Sequence, residues 1–312
     1  MVEVRAQRAS KPPEGRVAAI DCGTNTIKLF IGSPPHAEVR ETRMVRLGEG
    51  VDTTGELSSV ALARTFSAID EYAALLASRP VDRLRFCATS ATRDARNGSV
   101  FADGVEARLG VRPEVLTGEE EARLAFDGAV RNLATAPAYP VLVVDIGGGS
   151  TELVLGDATG PTAAYSMDIG SVRLHERRIH SDPPTADEIA ACVADIDAAL
   201  DLCPVDLVAA ATVVGVAGTV TTVGAGHLDL SAYDADAVDQ TVVPVAAART
   251  WIAALVAMPL TARLELPYLH PGRADVIDAG VLILDRVLAR TRVDSFIVSE
   301  ADILDGIAWS IA

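Results

Sequence analysis

The strongest constraint on what this chain can fold into is a pattern that occurs twice. Residues 141–156, VLVVDIGGGSTELVLG, form an apolar β-branched run that ends in Asp-x-Gly, crosses a short polar stretch and restarts as a second apolar run. Residues 16–32, RVAAIDCGTNTIKLFIG, repeat that design about 124 residues earlier. Each copy predicts a buried strand, a turn (residues 21–25 in the first) and a returning strand (through residues 27–31). Two copies of one design imply an internal duplication, with one copy opening each domain.

The 312 residues suit two domains of roughly 150 each. The expected division is a disordered tail over 1–16, an N-terminal domain over 17–135 and a C-terminal domain over 136–312. The boundary falls in ATAPAYP, 134–140, and the last helix is free to pack back on the first domain. Apolar residues make up 49% of the chain and aromatics 4%, which suits alternating helices and strands and places the chain in the α/β class. Residues 57–79 carry apolar side chains at three- and four-residue spacing, as an amphipathic helix does. Residues 81–95 read as a strand running into a loop and a helix. Thr117 as N-cap and Glu120 at N3 form a capping box that opens a helix toward Leu133. Further helices are expected over 183–200 and 274–290, a strand with a glycine turn over 207–225, and a closing strand and helix over 295–312.

A formal charge of −16 argues against broad attraction to nucleic acid or to an anionic membrane, so an anionic substrate must be held by a local site. The first sixteen residues lack the apolar core of a secretory signal. Cys22, Cys87, Cys192 and Cys203 form no CxxC pair and no metal-ligand spacing. Reduced thiols in a cytoplasmic protein are the expectation.

The first loop has the parts of a phosphate cradle: Gly23 for tight backbone geometry, with Thr24, Asn25 and Thr26 as donors. The second is more specific, because Gly147, Gly148 and Gly149 in succession weaken packing unless something approaches closely; Ser150 adds a hydroxyl. Facing each other across a cleft, the loops would hold successive phosphoryl groups. Asp145 and Glu152 then offer oxygen ligands to Mg²⁺, with Mn²⁺ as an alternative, and Asp21 is a third ligand or orients water. A base is sought in Glu119, Glu120 and Glu121 at a helix N-terminus, and periodicity does not choose among them. Ser90 and Arg93, placed in a hydroxyl-rich loop after a strand, suit phosphate recognition. Arg173, Arg177 and Arg178, with His175 and His180, read as a solvated helix face, and no HxxxH zinc spacing occurs.

Together these segments resemble the exopolyphosphatase and guanosine pentaphosphate phosphatase family, a branch of the sugar kinase, heat-shock and actin superfamily. The similarity rests on residues 21–26, on Thr-Ser-Ala-x-Arg at 89–93, on Gly-Glu-Glu-Glu-Ala-Arg-Leu at 118–124 and on Asp-Ile-Gly-Gly-Gly-Ser-Thr-Glu at 145–152. Residues 170–174, 215–219 and 273–277 also match, so coverage runs from about 17 to 308. The family's catalytic glutamate directly precedes Ala-Arg, which implies Glu121. The resemblance further implies two ribonuclease H-like (actin-like) domains flanking an active-site cleft, and Mg-assisted attack of water on a terminal phosphoryl group. Implied substrates are inorganic polyphosphate of shorter chain length or guanosine pentaphosphate, with a homodimer as the assembly and neither nucleic acid nor membrane as partner. Leu304 stands where the family has an arginine. A superfamily kinase or ATPase, and a sensor binding guanosine tetraphosphate or polyphosphate with little turnover, remain alternative readings.

Overall fold

Two sheets with one shared strand order account for the doubled pattern. The computed structural model describes residues 15–312, so nearly all of the expected N-terminal tail lies outside the described residues. The first sheet contains β1 (Val17–Cys22), β2 (Thr26–Ser33), β3 (His36–Met44), β4 (Arg83–Ala88) and β5 (Glu114–Val115), in the order β3-β2-β1-β4-β5. The second contains β6 (Val141–Ile146), β7 (Thr151–Asp157), β8 (Gly160–Met167), β9 (Thr212–Val216), β10 (Val242–Pro244) and β11 (Ser295–Val298), in the order β10-β11-β9-β6-β7-β8. In both, the first three strands are antiparallel and the next two run parallel to the first; β10 adds an antiparallel edge to the second. This is the α/β, two-domain, ribonuclease H-like (actin-like) architecture that the sequence led us to expect.

The central strands β1 and β6 are buried along their whole length, which is why they read as unbroken apolar runs. The edge strands β3 and β8 were not anticipated. Their residues are mostly half-buried or exposed and rich in polar side chains, so the alternation that marks a strand is weak there. The register carries the duplication into three dimensions: Asp21 lies opposite Lys28, and Asp145 opposite Glu152.

Local signals set most helix starts. Ser58 caps the helix Ser59–Ser78, accepting from the Ala61 amide at 3.1 Å. The expected capping box of Thr117 and Glu120 opens the helix Gly118–Arg131, and Thr185 with Glu188 forms a second box before Ala186–Asp201. Arg93 is not in a loop as expected. The Thr89 carbonyl accepts from the Thr92 and Arg93 amides, so β4 turns directly into the short helix Ser90–Asp94. The helix expected over 274–290 begins at Ile277, after a 3₁₀ turn over Pro271–Arg273.

The final helix, Ile303–Trp309, packs on the first sheet and on Gly118–Arg131, sharing a core with Val17, Phe30, Cys87 and Leu124. Leu304 is fully buried in that core and does not line the cleft described below. Among the described residues, no helix is long and apolar enough to cross a membrane.

The crossing of these two helices depends on glycine at both faces. A Cβ on Gly128 would lie 1.9 Å from the Asp302 carbonyl oxygen, and one on Gly306 would lie 1.9 Å from that of Leu124. Gly128→Ala and Gly306→Ala should each destabilise the protein by about 3 kcal/mol, because backbone rather than a movable side chain blocks the methyl; thermal melting of the two variants checks this.

Candidate active site

The ends of β1 and β6 deliver two loops closed by the same backbone bond. The Gly23 amide donates to the Thr26 carbonyl at 2.9 Å, and the Gly147 amide to the Ser150 carbonyl at 3.0 Å. The loops then meet. Thr24 Oγ1 and Ser90 Oγ are 2.9 Å apart, and a Cβ on Gly149 would sit 2.6 Å from each of those oxygens. A Cβ on Gly148 would come within 3.1 Å of Thr24 Cβ and 3.3 Å of Asn25 Cβ. Room for the opposite loop therefore accounts for two of the three glycines, and Gly149 faces Thr24 and Ser90 rather than lining the cleft.

From the far side, the helix Ser171–Arg178 grips the second loop: the Ser171 amide donates to the Gly147 carbonyl, and those of Val172 and Arg173 to the Gly148 carbonyl, at 2.9–3.0 Å. The loop carbonyls are thereby engaged. Among the described residues, the amides of Thr24, Asn25, Gly148 and Gly149 donate to no backbone carbonyl, the condition an anion cradle needs.

Between the loops lies a narrow well of about 90 Å³. Of the sequence-predicted residues, Gly23, Thr24, Asn25 and Thr26 line it from the first loop, and Gly147, Gly148 and Ser150 from the second. Ser90 also lines it, and the carboxylates of Asp21, Glu121, Asp145 and Glu152 complete it. Arg93 does not. Its Nη1 donates to Glu121 Oε2 at 3.0 Å and to the Leu116 carbonyl at 2.9 Å, so it braces the glutamate.

The structure separates the three glutamates. Glu119 and Glu120 are exposed, and Glu120 is engaged in the capping box with Thr117; Glu121 is buried at the wall of the well.

Four buried carboxylates in one well cannot all be charged cheaply. Burial pushes Asp21 up to about 6, with Lys28 opposing. Burial lifts Glu121 to about 7 against the pull of Arg93. Asp145 and Glu152 are raised by burial and then by the neighbouring acids, although Ser166 Oγ donates to Glu152 Oε1 at 2.6 Å. Asp21 Oδ1 has no hydrogen-bond partner in the protein.

An orphaned oxygen in a surplus of buried negative charge fits a divalent cation. No group of three His, Cys, Asp or Glu side chains among the described residues forms a ready-made cage. Such a cage is not needed for a hard cation that takes one or two carboxylates and completes its shell with water and phosphate oxygens.

Two cations in the well escaped the sequence reading. Lys28 Nζ lies 2.5 Å from Asp302 Oδ2 and 3.7 Å from Asp21 Oδ2; burial opposes its charge, but both acids raise its pKa. It occupies the position in the first copy that Glu152 holds in the second, so aligning the two copies would have found it. Arg273 lies against Gly218, where a Cβ would meet its Cζ at 2.3 Å. Burial lowers its pKa, against the pull of Tyr233, Glu300 and Asp302. Arg273 opens the family-like segment 273–277, but only packing brings it to the well.

The buried acids have a cost that can be measured. Asp145 goes from an ordinary 3.8 to about 7 in the fold. A raised folded pKa favours the protonated fold, so the stability present below the unfolded pKa is lost as pH rises from about 4 to 7. Asp145→Asn should stabilise the cation-free protein by on the order of 2 kcal/mol at pH 8 and by little at pH 4, as denaturant titrations in chelator would show.

Comparison with known proteins accords with this geometry. The family model described as the Ppx/GppA phosphatase family matches residues 32–312. The chain is 46% identical to exopolyphosphatase 2 of Mycobacterium tuberculosis, over 95% of this chain and 98% of that protein. The crystal structure of an exopolyphosphatase-like protein superimposes with a TM-score of 0.92 at 44% identity, covering 94% of this chain and 98% of the other. The Aquifex aeolicus member of the Ppx/GppA family gives a TM-score of 0.79 at 31% identity, over 95% and 96% of the two chains. With the family matched along most of its length and both loops in place, this chain belongs to the Ppx/GppA phosphatase family.

Proposed function

We propose that this chain is an exopolyphosphatase that removes terminal phosphoryl groups from inorganic polyphosphate by attack of water. The observation that carries the reading is Glu121: a carboxylate lifted to about 7, braced by Arg93, in a well whose loops offer free amides. A general base works best with a pKa near the operating pH.

The loop amides and the hydroxyls of Thr24, Ser90 and Ser150 hold the terminal phosphoryl oxygens. Glu121 accepts a proton from water as the water oxygen bonds to phosphorus. The bridging P–O bond breaks, and its electrons leave on the shortened chain. Lys28 and Arg273 offset the chain's negative charge. Asp145 and Glu152, with Asp21 as a third carboxylate, would hold Mg²⁺ or, in its place, Mn²⁺. Once bound, the cation would neutralise phosphate oxygens and spread the charge developing in the transition state. Shorter chains as preferred substrates, a homodimer and a cytoplasmic location belong to the same reading. All four cysteines are free, in keeping with a reducing compartment.

A second reading, hydrolysis of guanosine pentaphosphate, is favoured by one feature. The well opens past Arg273 into a cavity of about 400 Å³ lined by Met44, Tyr233, Tyr268 and Glu300, with both apolar surface and a carboxylate for a nucleoside. Initial rates of phosphate release from polyphosphates of graded length and from guanosine pentaphosphate, with Mg²⁺, separate the two; ADP formation from ATP with an acceptor would instead mark a kinase. Glu121→Gln should lower turnover at least about 100-fold while leaving substrate binding largely intact. Near-normal release by that variant would falsify the assignment. For the wild type, kcat/KM should fall as pH drops through about 7 and Glu121 takes up a proton, and chelation should stop turnover until Mg²⁺ is restored.

A further inference from the structure

Of the basic stretch after the second loop, Arg177, Arg178 and His180 are exposed as expected, but Arg173 turns inward. Arg173 is only 12% exposed at its side chain and reaches across to the N-terminal lobe, where it forms an ion pair with Asp94 and lies 3.6 Å from Asp52 Oδ1. Arg177 fixes Asp52 from the other side, with Nε and Nη2 each donating at 2.6 Å. Glu176, between them, accepts from the Gly50 amide at 3.1 Å. One helix thus carries three contacts to the opposite lobe within a span of five residues, and its first amides grip the glycine loop.

Both ends of the Arg173–Asp94 pair lead to the reaction centre. The Arg173 amide donates to the Gly148 carbonyl at 3.0 Å, and Asp94 follows Arg93, whose guanidinium holds Glu121. The connected series runs from the C-terminal loop through Arg173 and Asp94 to Arg93 and Glu121. Its ends are the groups that must face each other, one holding the phosphoryl group and the other activating the water. A misplacement of about 1 Å in such a pair can cost on the order of 100-fold in rate. Asp94 keeps 30% of its side chain exposed, so solvent screens the pair and its main consequence lies in alignment.

Resting on the hydrolase reading above, we infer that Arg173 is a positioning residue: through Asp94 it sets the distance and angle between Glu121 and the second phosphate loop. The test uses the full chain with tripolyphosphate and saturating Mg²⁺, and compares Arg173→Met, Asp94→Asn, their combination and Arg173→Lys. Each single variant should lose at least about 10-fold in kcat. Melting temperature should change by only a few degrees, and tripolyphosphate affinity, measured in the Glu121→Gln background, by less than about threefold. The combination should be no worse than the poorer single variant by more than about threefold, and Arg173→Lys should recover much of the loss. A kcat for Arg173→Met within about twofold of wild type, multiplying losses in the combination, or a loss that only tracks the folded fraction overturns the inference. Wild-type turnover that survives Glu121→Gln overturns Glu121 as the base and the positioning role with it. A dead Glu121→Gln beside a normal Arg173→Met removes the positioning role alone.

Discussion

Mutual repulsion among buried carboxylates is the constraint around which the rest of the cleft is arranged. Asp21, Glu121, Asp145 and Glu152 are each less than a tenth exposed, and they share one narrow well. Bringing them together costs free energy whichever way their protons are distributed. The fold bears this cost because the strands that deliver Asp21, Asp145 and Glu152 are among its most buried elements. Lys28 and Arg273 supply part of the counter-charge from the protein. A polyphosphorylated substrate with its cation would complete the balance.

The packing of the two loops against each other follows from the same arrangement. A site assembled from two lobes has to hold them in register, and contacts at three depths do so. At the floor, Gly148 and Gly149 let Thr24, Asn25 and Ser90 approach within a methyl's width. Behind the second loop, Arg173, Glu176 and Arg177 reach Asp94, Gly50 and Asp52. Beside the well, Asp302 pairs with Lys28 and caps the last helix, which packs on the first sheet. Asp302 therefore ties the end of the chain to the cleft. Its pKa is lowered despite burial because Lys28 and Arg40 flank it.

Local chemistry made several elements legible in advance. β1 and β6 are continuous apolar runs because both their faces are covered, and the helix at Gly118 announces itself through a capping box whose partners are three residues apart. The edge strands β3 and β8 gave little signal, since half-solvated edges carry whatever polar residues water tolerates. At the site, the loop residues and the acids were legible because they follow a repeated motif. Lys28 was overlooked although the repeat places it on Glu152. Arg93 stands in a helix rather than the expected loop, and its Nη1 pairs with Glu121.

The sequence by itself determined that two strand-turn-strand units exist, that each presents an acid and a glycine-bearing loop, and that one of three adjacent glutamates was the candidate base. These are short-range features, set by periodicity, turn chemistry and spacing within a few residues. Only the tertiary structure decided which glutamate is buried, which glycines serve the opposite loop, that Arg93 braces rather than lines the well, and that Arg173 and Arg273 turn inward. Those outcomes depend on residues far apart along the chain meeting in a low-dielectric cleft, where burial and partner decide a side chain's charge and role.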